Sequence, residues 1–153
     1  MDRIDDEIIR HLQNDGRMSN KSLAAKVGLA PSSCFERVRQ LQDKGIIKGV
    51  HADIDPKAMG VHLEAIYFIK LTRHAREQVE SFQARIDQTP EVRAAYLVSG
   101  EYDYLVHVAV RDADHLRELA MDAFTVLPEV SRIETVLVFD HRRNFVLSGL
   151  KMS

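Results

Sequence analysis

Between Pro31 and Gln40 the chain sets Ser32, Ser33, Glu36, Arg37, Arg39 and Gln40 among apolar residues at helical spacing. Taking Phe35, Val38 and Leu41 as the buried stripe, a rotation of about 100° per residue puts Ser32, Ser33, Glu36, Arg37 and Gln40 on the outer side, with Arg39 flanking it. These residue types match the edges of duplex bases. Arg forks to guanine or phosphate, Gln pairs with adenine, and Glu accepts from cytosine. Small hydroxyls in the first turn let the helix end approach a groove floor, and the N–H groups there favour phosphate. The expectation is that Ser32 and Ser33 lie nearest base edges, that Arg37 and Arg39 include at least one backbone contact, and that Lys21, Lys26 and Lys48 meet phosphates. A merely solvated helix face uses the same residue types, so the surroundings must decide.

A second group is SGEYDY, residues 99–104, between two strand-like segments. Gly100 permits positive φ and close backbone approach. Glu101 and Asp103 can accept from an ammonium, exposed N–H groups of the turn can hold a carboxylate, and Tyr102 and Tyr104 offer walls with polar tips. That set suits a small zwitterion such as an amino acid. A plain hairpin turn with solvated acids reads equally well from these residues.

The surroundings favour nucleic acid for the first group. Net charge is formally −2 over 153 residues, but it is unevenly spread. Arg17 to Lys48 holds seven basic residues (Arg17, Lys21, Lys26, Arg37, Arg39, Lys44 and Lys48) against Glu36 and Asp43, a net +5. From His51 onward, 12 basic face 16 acidic residues. A small basic head on an acidic body makes whole-chain charge a poor guide to partners. Composition is globular, with 45% hydrophobic and 29% charged residues. No run approaches the roughly 18 apolar residues that span a bilayer, and MDRIDDEIIR does not resemble a secretory signal. The single cysteine, Cys34, excludes an internal disulfide and fits a reducing compartment. The expected location is cytoplasmic, with no membrane partner.

The positioning elements follow from periodicity. Residues 2–14 read as a helix with Ile4, Ile8, Ile9 and Leu12 on one face, ended by Asn14-Asp15-Gly16. Ser19 suits the N-cap of a short second helix with Leu23, Ala24 and Val27 inward. Gly28 marks a turn, and Pro31 opens a third helix, with Cys34 also on its apolar stripe and Gly45 closing it. Three short helices with a turn of about four residues between the last two form a helix-turn-helix. Residues 45–55 read as a short wing or strand, and DPKAMG (55–60) as a boundary.

Beyond that boundary come strand 62–72, helix 75–88 with Val79, Phe82 and Ile86 inward, strands 92–100 and 103–112, helix 112–127 capped by Asp112, and strand 132–140. This βαββαβ order specifies a ferredoxin-like sandwich, so the chain is α+β. The expected domains are therefore 1–50, the helix-turn-helix head; 51–60, a linking strand or hinge; and 61–153, the βαββαβ body. Segment 63–71 is apolar on both faces: Leu63, Ala65, Tyr67, Ile69 and Leu71 on one, Ile66 and Phe68 on the other. Strand 103–110 repeats this, with Tyr104, Val106, Val108 and Val110 against Leu105 and Ala109. Two helices cover one face of a four-stranded sheet, so the other is expected to be covered by a second copy of the chain.

Catalysis finds little footing. The seven histidines are scattered, with no HExxH, CxxC, P-loop, GxGxxG or GxSxG. Cys34 falls on the buried stripe as a small core residue. His107 shares the Leu105 and Ala109 face without a partner that would make it a base. No catalytic residue, metal or cofactor is expected, and a small enzyme on this fold is the weaker alternative.

IDDEIIRHLQNDGRMSNKSLAAKVGLAPSSCFERVRQLQDKGIIKG resembles the DNA-binding half of the Lrp/AsnC family of transcriptional regulators, the leucine-responsive regulatory protein-like group. LVSGEYDYLVHV followed by LPEVSRIETVLV resembles that family's C-terminal ligand-sensing (RAM, ACT-like) module. The resemblance implies a winged helix-turn-helix, a linking strand and a βαββαβ domain that dimerises through its sheets. It also implies assembly of homodimers into an octamer or another ring of dimers, and an amino-acid effector bound between dimers near the SGxxDY loop. On this chain the effector residues become Ser99, Gly100, Glu101, Tyr102, Asp103 and Tyr104, with Thr135 in the last strand. Ala30 departs from the serine often found before the proline, removing a cap worth about 1 kcal/mol. The function implied is sequence-specific, effector-modulated transcription regulation on double-stranded DNA. The alternatives left open are an effector-independent architectural DNA-binding protein and an RNA-binding one, each marked by uniform, salt-driven coating.

Overall fold

The computed structural model describes residues 1–72 and 76–147, which divide into two compact units. One comprises residues up to Asp53 together with the segment from Arg142, and the other runs from Ile54 to His141.

In the first unit, α1 (Arg3–Asn14), α2 (Asn20–Val27) and α3 (Pro31–Asp43) surround a small core of Ile8, Leu23, Ala24, Val27, Cys34 and Leu41. Their ends follow local chemistry. Asp2 caps α1 in a reciprocal box with Asp5, and the Ser19 side chain accepts from Ser22 N–H at the start of α2. Gly28 closes α2 at φ 69°, a left-handed conformation that favours glycine. Pro31 begins α3 behind Ala30, which supplies no side-chain cap. Asn20 Nδ2 instead donates to the Pro31 carbonyl at 2.7 Å and ties the two helix starts together. Residues from Arg142 join this unit through Gln13, whose amide both donates to and accepts from the Leu147 backbone, at 3.1 and 2.5 Å.

Two expectations fail here. Residues 45–55 form no strand: the chain leaves α3 through Gly45 (φ 67°) and runs irregularly to a 3₁₀ turn at Pro56–Met59. A short extended segment holds its shape only against a ladder partner, and none of the described strands pairs with it. Phe35 is 57% exposed, so the buried stripe of α3 is Cys34 and Leu41, with Val38 packed at its edge.

The second unit is a four-stranded antiparallel sheet, β1 (Leu63–Leu71), β2 (Val92–Leu97), β3 (Tyr104–Val110) and β4 (Val130–Val138), in the order β2-β3-β1-β4. Its helices are α4 (Arg76–Gln88) and α5 (Ala113–Leu119). Alternation along β1 and β3 sends Tyr67, Ile69, Tyr104, Val106 and Val108 into a core with Phe82, Leu116 and Phe124. The Tyr67 hydroxyl donates to the Leu116 carbonyl at 2.5 Å. The single helix expected over 112–127 instead passes from α5 into a π-helical turn at Ala120–Thr125, where Thr125 Oγ1 donates to the Ala120 carbonyl. The wider turn keeps both Ala123 and Phe124 in the core.

Phe82 packs on Tyr104 at 4.7 Å and on Phe124 at 5.9 Å between ring centres. Phe82→Ala is expected to cost about 3–5 kcal/mol of this unit's stability, read as a lower urea midpoint of its unfolding transition.

Candidate nucleic-acid interface and effector loop

Burial of Cys34 and Leu41 sets the rotation of α3 and turns Ser32, Ser33, Glu36, Arg39 and Gln40 to solvent. Ser32, Ser33, Glu36 and Gln40, with Asp2, Asp5 and Arg37, line an open cleft of about 700 Å³. Lys21, Lys26 and Lys48 are exposed as well. Arg39 lies within loose ion-pair distance of Glu36 (3.8 Å) and Asp43 (3.7 Å). Exposed pairs of that kind hold a side chain weakly.

Arg37 differs. Its Nη1 donates to Asp2 Oδ2 at 2.7 Å and to Asp5 Oδ1 at 2.8 Å, and its side chain is only 32% exposed. The pair of carboxylates, Asp2 foremost, raises the Arg37 pKa, so the guanidinium stays charged. The Asp5 backbone N–H and the Arg37 guanidinium in turn hold the Asp2 carboxyl below its ordinary value. The acids of α1 were not singled out from the sequence; the signal was the capping pattern Asp2-x-x-Asp5, which brings two carboxylates to one helix end. Cys34 is fully buried, and burial pushes its thiol up, consistent with a core residue.

In the second unit the loop 99–104 is divided by the sheet. Ser99, Gly100 and Glu101 are exposed, with Gly100 at φ 143°. Tyr102 is half-buried, edge-on to Phe68 at 5.4 Å and with the Arg132 guanidinium 5.8 Å from its ring centre. The Glu134 carboxylate beside it raises the Tyr102 pKa. Arg132 also reaches Glu101 at 3.6 Å and pairs closely with Glu134. Sequence reasoning missed Phe68, Arg132 and Glu134 as neighbours of the loop. The available signal was period-two alternation, which sets Arg132 and Glu134 on one side of β4.

Three loop assignments need correction or refinement. Tyr104 is 2% exposed and packed against Phe82, so it is a core residue on the helix-covered side and not a wall of the loop. Thr135 pairs with Tyr67 in the β1–β4 register, whereas Phe68 pairs with Glu134. Directly paired residues share a face, so Thr135 lies on the face opposite Tyr102 and is not brought together with it. Asp103 stitches the loop to β1: its Oδ2 accepts from Leu71 N–H at 2.7 Å, and its own N–H donates to the Ile69 carbonyl at 2.9 Å.

The sheet face away from the helices carries Ile66, Phe68, Leu105 and Ala109 at its centre, with Tyr96 (59% exposed) and Val136 (49%) toward the edges. Glu64 bonds His107 Nε2 there at 2.7 Å, with His141 Nδ1 at 3.6 Å. Among the described residues no cluster of three or more potential ligands could hold a metal, and no helix is long and apolar enough to cross a membrane.

A basic three-helix head with an exposed third helix, joined in one chain to a βαββαβ domain, defines a DNA-binding transcriptional regulator with a ligand-binding module. Residues 1–48 match a winged helix-turn-helix DNA-binding domain, and residues 64–144 match the Lrp/AsnC ligand-binding domain. The chain belongs to the Lrp/AsnC family. It is 40% identical over 143 residues to the HTH-type transcriptional regulator AldR of Mycolicibacterium smegmatis, covering 94% of this chain and 84% of that one. It is 38% identical over 140 residues to the leucine-responsive regulatory protein of Salmonella typhimurium, covering 92% and 85%. A Neisseria meningitidis transcriptional regulator solved as a complex with L-Met superposes with a TM-score of 0.86 at 28% identity, over 94% of this chain and 93% of that one.

The depressed folded pKa of Asp2 makes its contribution to stability complete above the ordinary value of 3.8 and lost as pH falls through the lower folded value. Asp2→Asn retains a capping side chain but not the charge. The head of the variant is expected to lose helical circular dichroism less steeply than wild type as pH falls below 3.8.

Proposed function

We propose that the chain is a cytoplasmic, sequence-specific regulator that reads duplex DNA with α3 and responds to an amino-acid effector. The observation that carries this reading is the exposed polar face of α3, Ser32, Ser33, Glu36, Arg37, Arg39 and Gln40, on a head whose other helices are capped and closed around it. Ser32 and Ser33 approach base edges, Gln40 and Glu36 read further along the groove, and Lys21, Lys26 and Lys48 meet phosphates. One such head contacts few base pairs, so useful affinity calls for two heads on two half-sites.

The apolar open face of the sheet supplies the pairing surface. Ile66, Phe68, Leu105 and Val136 are covered by the same face of a second copy, giving a homodimer, and dimers associate further toward an octamer or similar ring. The effector lies at the exposed side of the loop, with Ser99 and Gly100 offering backbone, Glu101 and Glu134 facing the ammonium, Arg132 the carboxylate, and Tyr102 the side chain. Asp103 keeps the loop in place. The L-Met complex of the Neisseria regulator supports an amino acid as the ligand class. Nothing in this scheme requires catalysis or a cofactor.

A thermal-shift screen of the twenty amino acids is expected to raise the melting temperature with one or a few of them, and Glu101→Ala with Arg132→Ala to abolish that shift. A wild-type response to none of them overturns the effector assignment. On DNA, Gln40→Ala is expected to weaken binding to a selected site by about 1–3 kcal/mol in a titration at fixed salt, with dimer mass unchanged by light scattering. Equal loss on random duplex overturns its role in reading bases.

A further inference from the structure

Arg37 carries five N–H donors in a planar fork. The two on Nη1 are committed to Asp2 and Asp5, at 2.7 and 2.8 Å. Among the described residues nothing accepts from its Nε or Nη2, and the side chain lines the cleft with Ser32, Ser33 and Gln40. The Nε–Nη2 edge is the pair of donors that guanine or a phosphate takes bidentately. The two acids are themselves fixed. Asp2 Oδ1 accepts from the N–H groups of Ile4 and Asp5, both at 2.9 Å, and the Asp2 N–H donates to Asp5 Oδ2 at 3.0 Å. The Asp5 side chain is only 17% exposed, so solvent and salt screen this contact less than an open surface pair.

We propose that Asp2 and Asp5 are positioning residues for sequence recognition: they hold Arg37 by Nη1 and present its remaining edge to the duplex. The proposal rests on the reading of α3 as the DNA-contacting helix. Two consequences follow from the charges. A guanidinium fixed in one orientation loses less freedom when it docks on a base, which sharpens discrimination. Two carboxylates held against the guanidinium also offset its charge, so Arg37 adds little to generic phosphate attraction. Recognition is thereby separated from salt-driven coating.

The test uses the full chain, with a duplex selected from a random pool and random duplex of equal length. Asp2→Asn with Asp5→Asn keeps the size and capping capacity of both side chains while removing their charge. The expected result is tighter binding to random duplex, with a salt slope steeper by about one. The ratio of selected to random affinity is expected to fall about tenfold. Arg37→Lys, which keeps charge but not the fork, is expected to lower the ratio of selected to random affinity as the double variant does. A latch that only ties α3 to α1 would instead lower both affinities together with the melting temperature, and that result overturns the proposal. An unchanged ratio and slope in a folded double variant overturns it equally. Should the double variant fail to fold, Asp5→Asn alone, with the Asp2 cap intact, is read by the same two measures. A wild-type chain without preference for its selected duplex overturns the reading of α3 itself, whereas preference retained in the variants overturns only the role of the two acids.

Discussion

Every polar side chain that α3 offers is aimed by the two it buries. Cys34 and Leu41 are seven residues apart, two turns of an α-helix, and so stand on nearly one line along its axis. Their contact with Ile8, Leu23, Ala24 and Val27 fixes the rotation of the helix. A shift of one residue in that line would turn Ser33 or Glu36 toward the core and expose apolar surface instead. The head has few buried residues with which to resist such a shift, and the Arg37 tie to Asp2 and Asp5 adds a polar stop beside the apolar one. Rotation and tie together fix which side chains the outer face presents to solvent.

The second unit solves a different problem with the same means. Strand alternation sorts β1 and β3 into one face that two helices seal and another that they cannot reach. The sealed face holds the large aromatics Tyr67, Phe82 and Phe124. The open face carries Ile66, Phe68, Leu105 and Val136, interrupted by the Glu64–His107 pair. A polar pair within an apolar surface penalises misaligned docking, which would bury it unpaired, more than it strengthens correct docking. That combination suits a specific contact better than general stickiness.

What the sequence disclosed depended on how local the cause was. Ser19, Gly28, Pro31 and Asp112 mark element ends because a cap or a left-handed turn is decided within four residues. The βαββαβ order was legible for the same reason, since alternation and helical periodicity seldom mix. Phe35 was misread because an apolar side chain beside Cys34 looks equally eligible for the stripe; only packing against α1 and α2 chose between them. Tyr104 belonged to the inward set by alternation and to the loop by proximity, and alternation prevailed. Thr135 and Arg132 were invisible as opposites because which face of β4 meets the loop depends on its register with β1, a long-range fact. The strand expected within 45–55 has no such partner among the described strands to define it.

The proposed coupling between effector and DNA is bounded by energy and not by distance. An effector alters operator occupancy only as far as it binds one assembly better than another, and the DNA must prefer one of them in the same sense. A tenfold change in DNA affinity needs about 1.4 kcal/mol of such preference, no more than about one charge-assisted hydrogen bond. Arg132 is the group best placed to supply it. In the described loop it is already shared among Glu101, Glu134 and the Tyr102 ring, so a ligand carboxylate gains only the difference between its own contact and those it displaces. Under the proposed scheme coupling is therefore modest, and repetition of the site in the proposed ring of dimers would be the physical means by which a small preference per site becomes a sharp response.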